Sequence, residues 1–110
     1  GYLANSVLAL RAVGAIGPSE LQQIIPLRTL KARLTRHQRL TLHESDRMFR
    51  FAHIIALAVT LLGNNEHAKR WLSTPNGRLL ENSPLSMLST FPGTCLVEEE
   101  LMQAAKGAVF

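Results

Sequence analysis

The chain has 110 residues, of which 46% are hydrophobic and 18% are charged. This composition excludes a disordered polyelectrolyte and supplies a core for one domain, or for two small modules that share it. The formal net charge of +4 is unevenly placed. Residues 1–55 carry eight Lys or Arg and three acidic residues, which gives a net charge of +5. Residues 56–110 carry four Lys or Arg and five acidic residues, which gives a net charge of −1. The asymmetry indicates that the first half meets a polyanion and the second half a different partner.

Three sequence features favour a cytoplasmic protein with no membrane partner. Cys95 is the single cysteine and cannot form an internal disulfide, and no charged leader followed by an apolar stretch opens the sequence. The longest apolar run, residues 54–62, is much shorter than the roughly 18 residues that a membrane span needs. We therefore interpret this run as part of a buried helix.

Helical apolar spacing between Gly and Pro residues predicts about seven helices and no sheet. The first begins near Asn5 or Ser6. A short second helix opens at Pro18 and stops where Pro26 forces a turn, because proline lacks an amide donor. The third runs from Leu27 to about residue 36.

The long fourth predicted helix has the clearest boundary signals. Thr41 and Glu44 match a capping box, in which each side chain accepts a hydrogen bond from the other residue's amide. The helix runs to Leu62, and Gly63 is its stop signal. Its second half is apolar nearly all round, which is typical of a central helix.

Three further helices complete the predicted fold. The fifth ends before Pro75, and the sixth runs from Pro84 to Leu88. Their predicted first residues or caps are Asn64 or Asn65 for the fifth, Ser83 for the sixth and Thr94 for the seventh. We therefore predict an all-α protein, with an N-terminal helix-turn-helix module of residues 1–40 packed on a C-terminal helical domain of residues 41–110.

The third predicted helix has a basic outer face. A short helix, a tight turn and a second, basic helix is the arrangement that lays a recognition helix in the DNA major groove. The predicted DNA-binding residues are Arg28, Thr29, Lys31, Arg33 and Arg36. Arg28 and Arg33 are expected to contact bases, and Lys31 and Arg36 to contact phosphates. From spacing alone, a simply solvated basic face is an equal alternative.

Neither a catalytic nor a metal-binding constellation is found in the sequence. The four histidines lack the close spacing of zinc ligands, and Cys95 has no nearby Cys or His. Residues 98–100 are three glutamates that point in different directions around a helix, so they do not form a paired acid-base device. There is no Gly-rich phosphate loop. We predict a protein that is not an enzyme and holds no cofactor or metal.

Two stretches resemble the MbcA/ParS/Xre antitoxin family. Residues 40–50 have the sequence LTLHESDRMFR. This segment is similar to the L-T-x-x-E-S-D-R motif at the start of the long helix in Xre-type antitoxins of RES toxin systems. Residues 68–76 and 83–88 are similar to the family's A-x-x-W-L-x-x-P-N and [ST]-P-L-x-x-L elements. The family often has a Gly-Gly turn where this chain has Leu80 and Glu81. The resemblance covers residues 20–110.

The resemblance implies a type II antitoxin with two partners. Its helix-turn-helix would bind operator DNA and autoregulate the operon, and its C-terminal domain would bind a cognate RES-domain toxin that degrades NAD or transfers ADP-ribose. Inhibition in such families is steric, because the antitoxin covers the NAD pocket. The toxin-binding residues implied are Trp71, Pro75, Asn76, Lys106, Gly107, Ala108, Val109 and Phe110. A homodimer is expected, since helix-turn-helix proteins commonly read paired half-sites, and a hetero-oligomer with the toxin is expected too.

Other interpretations stay open at this point. The chain could be a helix-turn-helix transcriptional regulator whose C-terminal half only dimerises and which has no toxin partner. An enzyme would have to turn over NAD alone. Trp71 could pack in the core instead of anchoring an interface, and residues 106–110 could be a frayed terminus instead of a segment that enters the toxin's cleft.

Overall fold

The structure, a computed structural model, describes the backbone of residues 18–109 and the side chains of residues 20–107. Within this range the chain forms five α-helices, two 3₁₀ turns and no strand. The α-helices are α1 (Pro18–Ile24), α2 (Leu27–Thr35), α3 (Leu42–Leu62), α4 (Asn65–Ser73) and α5 (Phe91–Val109). The all-α prediction is confirmed, while the first predicted helix, near Asn5, lies outside the described residues.

The turn between α1 and α2 consists of two residues, Ile25 and Pro26. Pro26 has extended backbone, with φ −58° and ψ 140°, and its carbonyl accepts the first hydrogen bond of α2 from the Leu30 amide at 2.9 Å. Because Pro26 has no amide donor, α1 cannot continue through it. The second and third predicted helices are confirmed.

The boundaries of α3 are set by local hydrogen bonds, as predicted. The Thr41 amide donates to Glu44 Oε1 at 2.9 Å, and the Glu44 amide donates to Thr41 Oγ1 at 3.2 Å. At the other end, Gly63 has φ +91° and donates its amide to the Val59 carbonyl at 3.0 Å. The positive φ is why a glycine ends this helix.

The caps of the later elements are confirmed only in part. The Asn64 side chain accepts from the His67 amide at 2.7 Å and caps α4, as predicted. The predicted sixth helix is instead a 3₁₀ turn, Pro84–Met87, and Ser83 makes no side-chain cap bond. The Ser83 carbonyl accepts from Ser86 instead, which closes the tighter i to i+3 turn.

The start of the last helix was predicted wrongly at Thr94. Helix α5 begins at Phe91, and the Thr90 hydroxyl accepts from the Gly93 amide at 3.1 Å. The use of Gly and Pro residues as helix boundaries places a break at Pro92, but proline is tolerated in a first turn, where its missing amide has no intrahelical partner. The Thr94 hydroxyl instead donates back to the Thr90 carbonyl at 2.8 Å.

The chain divides into two compact units, and the boundary between Phe49 and Arg50 falls inside α3. The predicted division at residues 40 and 41 stays a prediction. In the first unit the buried apolar side chains are Leu21, Ile24, Ile25, Leu30, Leu40 and Met48. In the second they are Phe51, Ile54, Ile55, Ala58, Leu62, Ala68, Leu72, Leu79, Leu85, Leu88, Val97 and Leu101. The Pro84–Met87 turn packs against both α4 and α5.

Among the described helices, none combines the length and the apolar character required to cross a membrane.

Candidate functional site

A basic surface lies on α2 and at its end. Arg28, Lys31 and Arg36 are exposed, and Thr29 is half-buried. Helix α2 contains no acidic residue, while Leu30 on its inner side is 1% exposed. We call Arg28, Lys31 and Arg36 the α2 basic surface. Their charges are directed to solvent and are available to an anionic partner.

Arg33, which we expected to contact a DNA base, is instead held within the fold. Its Nε lies 2.8 Å from Glu44 Oε1 and its Nη2 donates to Glu44 Oε2 at 3.0 Å. Only 21% of the Arg33 side chain and 9% of the Glu44 side chain are exposed. This bidentate ion pair connects α2 to the start of α3. We therefore leave Arg33 out of the α2 basic surface.

Glu44 is charged in a largely buried position. Burial alone would raise the pKa of its carboxyl, but the hydrogen bond from Arg33, the bond from the Thr41 amide and the Arg33 charge outweigh burial. Together they lower the pKa below its usual value of 4.5. The same carboxylate thus serves the capping box and the ion pair.

Two arginines of α3 bind backbone carbonyls, and no motif in the sequence predicts these contacts. Arg47 Nε donates to the carbonyl of Ile24, the last residue of α1, at 3.0 Å. Arg50 donates from Nε to Leu88 at 3.2 Å and from Nη2 to Ser89 at 2.9 Å. Carbonyls at the ends of helical turns lack intrahelical partners, and both arginines satisfy such groups. Each arginine therefore contributes to the fold of its own unit.

The Pro75–Asn76 element supports a compact loop. Pro75 is exposed and Trp71, on α4, is half-buried, so part of the indole is accessible. The Asn76 side-chain oxygen accepts from the Arg78 backbone amide at 2.9 Å, and the Asn76 backbone amide donates to the Asn82 carbonyl at 3.1 Å. Asn76 organises the loop that contains the Gly77–Leu79 3₁₀ turn. Its assignment to toxin binding, like that of Trp71 and Pro75, stays a prediction.

Leu80 and Glu81 both have left-handed backbone, with φ values of 57° and 64°. This is the conformation that glycine adopts without strain and that side chains disfavour. The Gly-Gly turn of the family would fit this geometry directly. Leu80 is also 87% exposed, so its side chain contributes little to the core.

The predicted toxin-contacting tail begins within α5. Lys106 and Gly107 are exposed, and the backbone of the helix continues to Val109. The side chains of Ala108 and Val109 and the whole of Phe110 lie outside the described residues.

No group of three His, Cys, Asp or Glu residues among residues 18–109 could hold a metal ion. The described site thus consists of a basic helix surface in the first unit and a helical domain with an accessible last helix in the second. Both are suited to binding.

Comparisons with known proteins identify this helical binding module. Residues 57–107 match the family model for the antitoxin Xre/MbcA/ParS C-terminal toxin-binding domain. The chain is 50% identical over 107 residues to "Antitoxin Xre" of Pseudomonas putida, covering 97% of this chain and 67% of that protein. It is 41% identical over 96 residues to "Antitoxin Xre" of Yersinia enterocolitica, covering 84% of this chain and 65% of that protein.

The chain spans about two thirds of the length of these two relatives. Its class is that of helical antitoxins that carry a toxin-binding domain. The chain belongs to the Xre/MbcA/ParS antitoxin family, as the resemblance at residues 40–50 and 68–76 led us to expect.

Proposed function

We propose that this chain is a type II antitoxin that neutralises a cognate RES-domain toxin by occluding its active site and that represses its own operon through DNA binding. The observation that carries the proposal is the match of residues 57–107 to the family's toxin-binding domain. No catalytic step is needed, because occupancy of the toxin's NAD pocket is sufficient to exclude substrate. The site of action is the cytoplasm.

The segment of residues 106–110 is proposed to enter the toxin's pocket. Lys106 and Gly107 are exposed on α5, so the approach to the segment is not covered by the rest of the second unit. A short, largely apolar segment is suited to entering a concave, mostly apolar ligand cleft, where it would exclude the substrate by occupying its space.

The α2 basic surface is proposed to bind operator DNA. Exposed Arg28, Lys31 and Arg36 can neutralise phosphates, and Arg28 can reach a base edge. Thr29 is half-buried and would contribute through its hydroxyl. A homodimer would place two such surfaces on paired half-sites.

We expect a reading frame next to that of this chain to encode the RES-domain toxin, and co-expression with its product tests toxin neutralisation. Cellular NAD is measured with the wild-type chain and with a variant that lacks residues 108–110. We expect NAD to be preserved by the wild type and lost with the deletion, while the deleted chain still co-purifies with the toxin. Lys69→Ala, which removes one positive charge from α4, is the control and should preserve NAD.

Three outcomes count against this proposal. Full protection by the deletion variant would remove the occlusion step. Absence of any complex with the wild-type chain, together with intact operator binding, would favour a transcriptional regulator without a toxin partner. Loss of NAD caused by the purified chain alone would make it an enzyme.

A further inference from the structure

The exposed large apolar side chains of the matched domain are concentrated at α5 and the loop before it. Among the described residues of 57–107, they are Leu80 at 87% exposure, Phe91 at 69%, Leu96 at 50% and Met102 at 42%. Helix α4 contributes none of them. Contiguous exposed apolar surface on a soluble domain marks a site of association.

The exposed apolar side chains of α5 lie on two adjoining sides of the helix, with Glu99 between them. Phe91, Cys95 and Met102 recur at i, i+4 and i+11, which places them on one side of the helix. A shallow depression is lined by Cys95, Glu98, Glu99 and Met102. A second depression, lined in part by Leu79, Leu96 and Glu99, adjoins it, since Glu99 borders both.

The preceding loop is fixed to the same helix. Arg78 Nε lies 3.6 Å from Glu100 Oε1, and Arg78 lines the second depression beside Leu96. Leu80 follows in this loop with φ 57°. Leu80 is 87% exposed, so its side chain adds little to the core, and backbone strain of this kind clusters at functional sites.

We propose that this chain binds its toxin through one surface of α5 and the preceding loop. We call this surface the α5 face and define it as Leu80, Phe91, Cys95, Leu96, Glu99 and Met102. The inference rests on the proposed function and adds the contact surface, which is distinct from the segment of residues 106–110. The α5 face leads directly into that segment, because Met102 precedes Lys106 by one helical turn. Its occupant is a toxin surface with apolar pockets and a basic rim.

Charge argues against a second copy of this chain as the occupant. In a two-fold contact the same patch meets itself, so Glu98 and Glu99 of both copies would come together. Glu99 is exposed and Glu98 is half-buried, with His53 at 3.6 Å from Glu98. Like charges facing each other in an interface are unfavourable, whereas basic groups of a different protein would complement them.

Affinity for the purified toxin tests the α5 face. The double variant Leu96→Gln and Met102→Gln removes apolar contacts from exposed helix positions without adding charge. We expect the dissociation constant, measured by titration calorimetry with the RES-domain protein of the neighbouring frame, to rise about tenfold or more. Leu42→Gln is the matched control, because Leu42 is 81% exposed and lies outside residues 57–107; its affinity should equal that of the wild type.

A second pair of variants separates binding from folding. Leu80→Gly and Glu81→Gly relieve the same backbone strain, so both should raise the unfolding midpoint. Only Leu80→Gly removes a member of the α5 face. We expect it to weaken toxin binding although it stabilises the chain, and we expect Glu81→Gly to leave affinity unchanged.

The outcomes distinguish this inference from the proposed function. If the wild-type chain does not bind the toxin, both the proposed antitoxin function and the assignment of the α5 face are wrong. If it binds and the glutamine double variant binds equally well, or if Leu80→Gly binds as the wild type does, the α5 face is not the contact surface while the antitoxin function stands. A wild-type dimer that becomes a monomer in the double variant, measured by light scattering, would assign the face to a second copy and overturn the inference.

Discussion

Glu44 carries two structural roles on one side chain. It closes the capping box with Thr41 and forms the ion pair with Arg33, and it is 6% exposed. A carboxylate in such a position is stabilising only while its partners remain, because an unpaired buried charge is costly. The charged form is therefore favoured in the folded chain more than in the unfolded one.

Replacing Glu44 with Gln should destabilise the chain in a pH-dependent way. Glutamine can still accept from the Thr41 amide, but it loses the charge that Arg33 needs, at a cost of about 2 kcal/mol. Because the pKa of Glu44 is lowered in the folded chain, its stabilisation is complete above the unfolded value of 4.5 and is lost as the pH falls through the lowered pKa. Urea unfolding near neutral pH and well below 4.5 measures this.

The expected result is a difference between wild type and Glu44→Gln that shrinks in acid. Thr41→Ala, which removes only the hydroxyl cap and no charge, should cost about 1 kcal/mol. Most of the destabilisation caused by Thr41→Ala should persist at low pH. A Glu44→Gln difference that stays constant with pH would show that the ion pair does not contribute.

Gly93 has a steric role that composition does not reveal. A Cβ atom at this buried position would collide with the Met87 carbonyl oxygen and lie 2.9 Å from Thr90 Oγ1. The first collision is with backbone, so the 3₁₀ turn before α5 would have to move. Glycine is needed here for close approach.

Gly93→Ala should therefore lower the free energy of unfolding by about 3 kcal/mol through overpacking. Gly107→Ala is the matched control in the same helix, because nothing lies within 4 Å of a Cβ placed there. That change should be stabilising by about 0.5 kcal/mol through helix propensity. Thermal unfolding of both variants gives the comparison, and a loss of stability in both would refute the steric account.

Helix ends show how far local sequence determines an element. The capping box at Thr41 and the Asn64 cap were predictable, because their partners lie three residues away. The start of α5 was not, because Pro92 is equally compatible with a break and with a first turn. The pairing of Arg33 with Glu44, 11 residues apart, also needs the tertiary structure.

The end of α2 provides a test at this scale. The Gln38 amide donates to the Arg33 carbonyl at 2.8 Å and the His37 amide to Leu34 at 3.3 Å, which is a Schellman motif. His37 occupies its left-handed position, with φ 53°. His37→Gly should stabilise the chain by about 1 kcal/mol, because glycine adopts this conformation without strain.

Gln38→Gly is the control for that variant. Gln38 is exposed like His37 but does not have a positive φ, so glycine there should only add unfolded-state entropy and destabilise the chain. In chemical unfolding, the free energy of unfolding should increase for His37→Gly and decrease for Gln38→Gly. Equal effects would mean that the left-handed backbone at His37 is not strained.

At the scale of the whole chain, the family could be predicted from the sequence. The individual residues that are exposed on its surfaces could not. The motif resemblance led to the family, which the comparisons confirm. The exposure of Leu96 and Met102 could not be predicted, because the last helix has apolar side chains on several sides and only the fold shows which of them a neighbour covers. The pairing of Arg33 with Glu44 could not be predicted either, because helical spacing alone places the Arg33 side chain on the solvent side of its helix.

The two proposed activities should be separable by substitution, because their surfaces lie in different units. Lys31→Ala combined with Arg36→Ala removes two phosphate contacts, so the slope of log affinity against log salt should fall in magnitude by about 2. The probe is a duplex of the sequence upstream of the chain's reading frame. Neutralisation of the toxin should be retained.

Lys69→Ala combined with Arg70→Ala is the control, because it removes the same charge from α4 in the second unit. If net charge alone governed DNA binding, both double variants would change the salt slope equally. A change confined to Lys31 and Arg36 would locate the contact on the α2 basic surface, because counterion release reports phosphates that are touched and not the overall charge of the protein. Equal slopes in wild type and both variants would exclude that surface from DNA binding.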